Sequence, residues 1–242
     1  MKQSILKYIQ KAKKENAKLL AILLDPDKLP IDQVAKKIAL INQNNVDLIF
    51  VGGSLLFSNI LAELVKEIKK HTKLPVLLFP GNAFQISNEA DGILFLSLLS
   101  GRNPDFLVGN HVVAAPILKQ TDLEILSTSY LLIESGRETT ASYISNTKPI
   151  PRDKPEIAMA TALAGEMMGH SLVYLDAGSG AQNRVPDETI SLLNKNTKLP
   201  IIIGGGISTK AALKAAHNAG ATIVVVGTAF ENDESLINTI NK

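Results

Sequence analysis

Short runs of apolar residues recur along the chain, and more polar segments separate them. Each run has the length of a β-strand that is buried on both faces, which is typical of a parallel sheet. We therefore predict eight strands: LLAILL (19–24), DLIFVG (47–52), PVLLF (75–79), GILFL (92–96), YLLIE (130–134), SLVYLD (171–176), PIIIG (200–204) and TIVVVG (222–227).

Segments with a helical period fill most of the gaps between these strands. Examples are IDQVAKKIALINQN (31–44), SNILAELVKEIKKH (58–71) and STKAALKAAHNAG (208–220), the last ending at a glycine suited to a helix C-cap. Alternating strands and helices predict a parallel sheet covered by helices. Eight such units in 242 residues predict one α/β domain, a (β/α)8 barrel over residues 1–242. A doubly wound open sheet is the alternative.

Two gaps depart from the regular repeat. Only PGNAFQISNEAD (80–91) separates the third strand from the fourth, so we expect the third helix to be shortened or replaced. A segment rich in Pro, Ser and Thr, residues 135–155, follows the fifth strand and precedes the helical pattern EIAMATALAGEMMG (156–169). A long loop at the carboxyl end of a barrel strand is usually a lid or a substrate loop.

Composition and charge narrow the class of protein. The formal net charge is +2, which does not favour a nucleic-acid partner. The chain has no cysteine and begins without the apolar region of a signal peptide, so a cytoplasmic protein without disulfides or thiolate metal sites is expected. The lysine-rich segment 2–18 is interpreted as a helix that packs through Ile5, Leu6 and Ile9. Its docking on an anionic bilayer surface is the alternative.

Glycines follow the last two predicted strands, in GGGIST (204–209) and GTAF (227–230). In (β/α)8 barrels these two loops frequently bind phosphate through main-chain amides. Without a Cβ, the main chain can approach the phosphate oxygens closely. Gly205, Gly206, Gly227 and Thr228 are therefore predicted to bind a phosphorylated small molecule. The alternative is that these glycines only form tight turns.

The sixth strand ends in VYLDAGSGAQ (173–182), which places a carboxylate and further glycines at the same edge. Like charges repel, so we expect Asp176 to bind a substrate hydroxyl rather than the phosphate, and to take its proton. Gly178, Ser179 and Gly180 extend the predicted phosphate site. A turn carboxylate is the alternative for Asp176, and a core aromatic is the alternative for Tyr174.

The first two strands end in LLDPDK (23–28) and VGGS (51–54). Mg²⁺ is commonly held by one carboxylate, a hydroxyl, waters and substrate phosphate, so Asp25 and Ser54 are the predicted ligands. Asp27 is the alternative ligand, and Lys28 either neutralises phosphate or is a surface charge. The histidines are scattered and are interpreted as surface or packing residues: His71, His111, His170 and His217.

Seven motifs, in chain order, resemble the geranylgeranylglyceryl phosphate synthases, also called PcrB-like prenyltransferases. They are LLDPDK, VGGS, FPGN, KPIPRDKPEIA, YLDAGSGA, IIIGGGI and VVVGTAF, and they span residues 20–230. The resemblance implies a TIM-like barrel with an altered third unit. It implies Mg²⁺-dependent transfer of a long isoprenyl group from its diphosphate to the C3 hydroxyl of sn-glycerol 1-phosphate.

The resemblance also implies roles for individual residues. Asp25 and Ser54 would bind Mg²⁺. The glycerol 1-phosphate ligands would be Tyr174, Leu175, Asp176, Ala177, Gly178, Ser179, Gly180, Gly205, Gly206, Gly227 and Thr228. Tyr174 and Asp176 would be catalytic, although many members have Glu at position 176. Leu23 replaces a lysine of the smaller members, which places the chain in the larger, second group.

Further expectations concern the second substrate and the assembly. Arg137, Lys148 and Arg152 are candidate diphosphate contacts, and the isoprenyl tail is expected along LLFPGN (77–82) and the loop with Tyr143. The family resemblance implies a homo-oligomer. Alternative functions are another phosphate-binding barrel enzyme, either an isomerase or lyase or an FMN enzyme, and a barrel that binds prenyl or phosphate ligands without turnover.

Overall fold

The computed structural model describes residues 4–240, with the backbone alone at Ile240, so Lys2 and Gln3 of the lysine-rich segment lie outside it. Eight parallel strands form a closed barrel in chain order, and the last strand pairs with the first. The strands are β1 (Leu19–Leu24), β2 (Leu48–Val51), β3 (Val76–Leu78), β4 (Gly92–Leu98), β5 (Glu124–Leu132), β6 (Leu172–Asp176), β7 (Ile201–Gly204) and β8 (Ile223–Val226). The predicted barrel is confirmed, and the open sheet is wrong.

Helices surround most of the barrel. They are α1 (Ile5–Lys14), α2 (Val34–Asn42), α3 (Leu61–His71), α4 (Asn110–Leu118), α5 (Thr140–Ser145), α6 (Pro155–Met167), α7 (Asp187–Asn196), α8 (Lys210–Ala219), α9 (Thr228–Asn232) and α10 (Leu236–Ile240). Gly220 ends α8 at a φ of 117°, as predicted for its C-cap. Within residues 4–240, no helix combines the length and the apolar character needed to cross a bilayer.

The fifth strand begins at Glu124 and not at residue 130, so its predicted bounds of 130–134 are wrong. Polar residues interrupt the apolar pattern over the first part of this strand. Their hydroxyls are satisfied inside the protein: Thr128 donates to the carbonyl of Leu126 (2.8 Å), and the Ser129 hydroxyl pairs with His170 Nδ1 (2.8 Å). Buried hydroxyls with hydrogen-bond partners are compatible with a central strand, although the sequence pattern hides them.

Alternation of side chains along the strands divides the apolar residues into two cores. On β6, Tyr174 belongs to the cluster that fills the barrel interior, whereas Val173 and Leu175 pack in the layer between strands and helices. Asp176 follows Tyr174 with the same phase at the carboxyl end of the strand. The strand period therefore brings Tyr174 and Asp176 to the inner edge of the barrel.

α1 closes the amino end of the barrel. Ile5 and Ile9 are buried in the interior cluster, and Leu6 packs against it, so the predicted packing of this helix is confirmed. Glu124, the first residue of β5, accepts hydrogen bonds from the Ser4 hydroxyl (2.6 Å) and from the amides of Ile5 (2.7 Å) and Leu6 (2.9 Å). The lysine-rich helix thus lies at the end of the barrel opposite to the loops that follow the strands.

Turns replace a helix between β3 and β4. The buried side chain of Gln85 organises these turns, because it accepts from the amide of Gly81 (3.0 Å) and donates to the carbonyl of Gly53 (3.1 Å). The loops after β2 and β3 are thereby held together. The helix of the third βα unit, between β3 and β4, is therefore absent, as predicted. The outer face of β4 next to α4 has no helix on the side toward β3.

We expect Glu124→Ala to lower the free energy of unfolding by about 2 kcal/mol, because the first turn of α1 loses three hydrogen bonds to a carboxylate. Urea unfolding followed by circular dichroism measures this loss. Glu138→Ala, at an exposed loop position, is the control and should leave the midpoint unchanged. Equal midpoints for both variants would contradict the role of Glu124 as the anchor of α1.

Candidate active site

The loops after β6, β7 and β8 converge at the carboxyl end of the barrel. The amide of Ala177 donates to the carbonyl of Gly204 (3.1 Å), and the hydroxyls of Ser179 and Thr228 lie 3.0 Å apart. A Cβ on Gly205, whose φ is +79°, would lie 2.6 Å from the amide nitrogen of Gly178. Only bare main chain fits this approach, so the structure brings the predicted phosphate residues together.

The remaining residues of this set contribute mainly main chain. Leu175 is buried with its side chain in the outer core. A Cβ on Gly206 would lie 2.9 Å from the backbone of Arg184, whereas Gly180 has open space around it. Gly227 lies against Leu23, where a Cβ would make an ordinary contact at 3.4 Å. A side chain at position 227 would therefore fit without displacing the backbone, unlike one at position 205 or 206.

Asp176 is a buried carboxylate whose two oxygens are both engaged. Oδ2 accepts a 2.5 Å hydrogen bond from the hydroxyl of Tyr130, and Oδ1 accepts a 2.7 Å bond from the amide of Gly178. Burial raises the pKa of Asp176, and these two hydrogen bonds offset part of the rise. A carboxylate oxygen accepts more than one hydrogen bond, so Asp176 can still receive a proton from a substrate hydroxyl.

An aromatic wall stands beside this carboxylate inside the barrel. The rings of Phe79 and Tyr174 are stacked with centroids 5.0 Å apart, and Tyr130 meets Tyr174 edge-on at 5.6 Å. Burial and the charge of Asp176 raise the pKa of both tyrosines well above the ordinary value, so both hydroxyls remain protonated. Tyr174 is therefore both a core aromatic and a wall of the site.

Tyr130 is a site residue that the sequence analysis missed, and Phe79, which was expected only beside the isoprenyl tail, also belongs to the aromatic wall. The mistaken start of the fifth strand placed Tyr130 at the wrong end of that strand. Tyr130 pairs in parallel register with Tyr174 on the neighbouring strand, and both side chains lie on the inner face. No sequence signal gave this register, because the closed barrel sets it.

Asp25 stands directly after β1, where its carboxylate is partly exposed. Its Oδ1 accepts from the amide of Asp27 (3.1 Å), and its Oδ2 lies 3.3 Å from Lys28 Nζ. Lys28 also pairs with Glu231 of α9 (2.8 Å). Burial lowers the pKa of Lys28, but its contacts with Glu231 and Asp25 raise the pKa by more. A lasting positive charge therefore lies beside the Asp25 carboxylate.

Asp27, the alternative metal ligand, has a different task. Its Oδ2 accepts from the amide of Phe57 (2.8 Å), and its Oδ1 accepts from the amide (3.0 Å) and hydroxyl (2.5 Å) of Ser58. Desolvation raises the pKa of Asp27, but these hydrogen bonds together lower it by more. Asp27 thus anchors the loop after β2, whereas Asp25 makes one main-chain hydrogen bond and one ion pair at the end of β1.

The residues around Asp25 fit a magnesium ion that shares its ligands with a substrate. A Cβ on Gly53 would lie only 3.6 Å from Asp25 Oδ1, so the loop that carries Ser54 lies close to this carboxylate. Carboxylate and hydroxyl oxygens are the hard donors that Mg²⁺ prefers. Across residues 4–240, no cluster of three His, Asp or Glu side chains could hold an ion by itself. Substrate oxygens and waters would have to complete the site.

An apolar cavity opens beside Ser54 and extends between β4 and α4. It has an empty volume of about 850 Å³, part of it open to solvent. The FPGN segment, residues 79–82, lines it as predicted, and so do Ile144 and Ser145 of the long loop, whereas Tyr143 itself does not. The deeper wall comes from Phe95 on β4 and from α4. The cavity thus lies beside the place where the helix between β3 and β4 is missing, which is where the groove for the isoprenyl tail is expected.

The three cationic candidates for diphosphate contacts lie away from the apolar cavity. Lys148 and Arg152 line a separate pocket together with Glu134, which is beyond the end of β5. The guanidinium of Arg152 donates to the carbonyl of Arg184 (2.7 Å). Arg137 is exposed.

The histidines are packing or surface residues with one exception. His71 pairs with Glu67, His170 with Ser129, and His217 lies within hydrogen-bonding distance of the carbonyl of Ala221. His111 lines the apolar cavity from α4 and contacts the Ser97 hydroxyl (3.0 Å). Burial lowers the pKa of His111, so its ring is held neutral in the cavity wall.

The glycine-rich loops after the last three strands meet at the carboxyl end of the barrel, where barrels of this class frequently bind phosphorylated small molecules. A buried acid and an apolar cavity adjoin these loops. Within this class the chain belongs to the PcrB family, whose model matches residues 11–242.

Individual relatives agree with this membership. The chain is 54% identical over 237 residues to the geranylgeranylglyceryl phosphate synthase of Flavobacterium johnsoniae, covering 96% of this chain and 98% of the relative. It is 40% identical to the enzyme of that name from Korarchaeum cryptofilum, covering 96% of each chain. A crystal structure of (S)-3-O-geranylgeranylglyceryl phosphate synthase from Thermoplasma acidophilum with substrate sn-glycerol-1-phosphate superposes with a TM-score of 0.92 at 33% identity, covering 98% and 96% of the two chains.

We expect Asp176→Asn to raise the melting temperature at pH 7. The folded-state pKa of Asp176 is raised, so its contribution to stability is greatest below the pKa of the unfolded chain and is lost as the pH rises through the folded-state value. The amide oxygen can accept from Gly178, and the amide nitrogen can donate to the hydroxyl oxygen of Tyr130, without a buried charge. Calorimetry at several pH values should show a gain that shrinks as the solution becomes acidic.

Asp187→Asn is the matched control with the opposite sign. Its hydrogen bonds with Arg184, at 2.6 and 2.7 Å, lower the pKa of Asp187 more than burial raises it. This carboxylate stabilises the fold above the pKa of the unfolded chain, and the contribution is lost as the pH falls. Lower stability of Asp176→Asn at every pH would mean that the folded protein favours the charged form of Asp176.

Proposed function

We propose that this chain is a geranylgeranylglyceryl phosphate synthase, which transfers a long isoprenyl group from its diphosphate to the C3 hydroxyl of sn-glycerol 1-phosphate. The observation that carries the proposal is the position of Asp176. This buried carboxylate lies between the converging amides of the phosphate loops and the aromatic wall that leads to the apolar cavity. A phosphorylated alcohol and a long apolar tail can therefore meet at one acid.

Glycerol 1-phosphate is placed by the loops after β6, β7 and β8. The amides and hydroxyls of 179–180, 205–206 and 227–228 bind its phosphate, whereas the amides of Ala177 and Gly178 already donate to Gly204 and Asp176. Asp176 accepts a hydrogen bond from the C3 hydroxyl of the same substrate. During transfer, the hydroxyl oxygen forms a bond to C1 of the isoprenyl chain and its proton passes to Asp176. The bond between C1 and the diphosphate oxygen breaks, and the diphosphate leaves with the electron pair.

The diphosphate lies on the side of Asp25 and Ser54. When bound there, Mg²⁺ supplies positive charge that stabilises the leaving diphosphate. Lys28 supports the same role, because Glu231 holds its ammonium at the rim even when a cation occupies Asp25. Tyr130 and Gly178 fix the Asp176 carboxylate in the orientation that receives the proton.

The isoprenyl tail occupies the apolar cavity between β4 and α4. Burial of each methylene group contributes about 0.8 kcal/mol, so a cavity of this character selects a long hydrocarbon over a short one. The cavity opens at Ser54, which is the end at which the diphosphate is held. The tail and the diphosphate of one isoprenyl donor therefore contact one continuous surface.

Exposed apolar side chains on α4 and α6 support an assembly of several copies of this chain. Val112 and Val113 of α4 and Met167 of α6 are each more than half exposed. Exposed apolar patches on soluble proteins commonly mark interfaces. Copies of this chain are the occupants that the family resemblance implies.

Turnover of glycerol 1-phosphate with geranylgeranyl diphosphate tests the reaction. We expect product with Mg²⁺, and we expect Asp25→Asn to lower kcat/KM at least a hundredfold because the leaving diphosphate loses its cation site. Asp27→Asn is the control, since Asp27 anchors a loop and should leave the Mg²⁺ dependence intact. Ligand binding without product for any C15 to C35 donor would favour a non-catalytic barrel, and product without Mg²⁺ would sink the metal site.

Gly205→Ala tests the phosphate loops separately. Its Cβ would lie 2.6 Å from the Gly178 amide at a φ of +79°, so the amides must move apart. We expect the KM for glycerol 1-phosphate to rise about tenfold or more, with a smaller change in the KM for the donor. Gly169→Ala carries similar strain, with a φ of +90°, in open space at the end of α6. It should lower stability without changing either KM, and a matching KM change there would refute the assignment of the loops.

A further inference from the structure

Three aromatic side chains stand in solvent around the mouth of the apolar cavity. The exposed fractions are 88% for Phe57, 83% for Phe84 and 71% for Tyr143, and we call these residues the rim aromatics. They lie on the loops after β2, β3 and β5, which are three separate elements. The same loops line the cavity through Ser54, Ala83 and Ile144. The rim aromatics therefore surround the entrance and do not form its wall.

Hydrogen bonds fix the loops that present these rings. Asp27 accepts from the amide of Phe57 (2.8 Å), and Asn82 accepts from the amide of Phe84 (2.9 Å). The short helix α5, which carries the third ring, begins with a capping box at Thr139. The rings are thus held outward by ordered backbone. Large apolar groups that are fixed in water mark a surface that contacts an apolar partner.

The substrate chemistry identifies that partner, an argument that rests on the proposed function. A long isoprenyl diphosphate and its glycerol ether product each join a charged head to a hydrocarbon chain, so both reside in a bilayer. Aromatic rings partition to the boundary between head groups and acyl chains. We propose that the rim aromatics dock the carboxyl end of the barrel on a lipid bilayer, so that the tail passes between membrane and cavity without crossing water.

This surface differs from the lysine-rich α1, which closes the opposite end of the barrel. A membrane bound by α1 would face away from the cavity mouth. Near the rim, exposed Arg137 and Lys148 are accompanied by exposed Glu138 and Asp153, so the two signs of charge are mixed. Ring insertion rather than attraction to anionic lipids therefore drives docking, and zwitterionic vesicles are sufficient.

A fluorescent label can report the docking directly, because the chain has no cysteine of its own. Phe84→Cys and Lys7→Cys carry a polarity-sensitive dye at two exposed positions, the second of them on α1 at the opposite end of the barrel. With phosphatidylcholine vesicles and no substrate, we expect a blue shift of the emission at position 84 and none at position 7. No shift at position 84, or equal shifts at both positions, would overturn the proposal.

Flotation with the same vesicles tests the rings themselves. Phe57→Ser and Phe84→Ser should each lower the vesicle partition coefficient by about tenfold, because one ring returns to water. Ile125→Ser at the start of β5, which is 41% exposed at the opposite end of the barrel, is the control and should bind as the unmodified chain does. A label at position 84 that shifts with protein concentration, without vesicles, would instead mean that a second copy covers the rim.

Turnover separates this proposal from the proposed function. The rim aromatics do not line the cavity, so the serine variants should turn over a detergent-dispersed donor at the unmodified rate and a vesicle-bound donor more slowly. Vesicle binding without turnover would sink the reaction and leave the docking surface intact. Equal rates on vesicle-bound donor for variants and unmodified chain would sink the docking surface and leave the reaction intact.

Discussion

The buried carboxylate of Asp176 is the group on which the rest of the site depends. Its two short hydrogen bonds join Tyr130 of β5 to the turn at Gly178. The main chain of this turn packs against the main chain of Gly205. A charge without water is costly, so the surrounding donors are fixed in place by the need to satisfy it. Asp176 orients the turn at Gly178, and its charge adds to burial, the larger cause, in raising the pKa of Tyr130 and Tyr174.

The absence of a helix between β3 and β4 accompanies the second main feature of the barrel, the apolar cavity. In place of that helix, turns line the apolar cavity together with β4 and α4. Gln85 replaces that helix as the link between the loops after β2 and β3. Since α1 seals the opposite end of the barrel, the glycine loops, Asp176 and the apolar cavity all lie toward the same face. That shared face suits a reaction between a polar alcohol and an amphiphilic donor.

The sequence by itself determined the barrel, its altered third unit and the convergence of the glycine loops. Apolar runs of strand length are local patterns, and glycines at two strand ends restrict what a loop can bind. The position of Asp25 at the carboxyl edge of the barrel followed from the same reasoning, because a parallel barrel brings every strand end to one edge. The start of the fifth strand was mispredicted, because the buried hydroxyls of Thr128 and Ser129 interrupt the apolar pattern. Hydrogen bonds to Leu126 and His170 satisfy these hydroxyls inside the protein.

Only the tertiary structure decided which side chains meet. Tyr130 and Asp176 are 46 positions apart in sequence, and the register between β5 and β6 alone places them within one hydrogen bond. The same holds for Asp27, which the loop after β2 engages, and for Lys148, which a side pocket removes from the cavity. A local pattern fixes the phase of a strand, whereas contacts across strands depend on how the closed barrel sets their relative height.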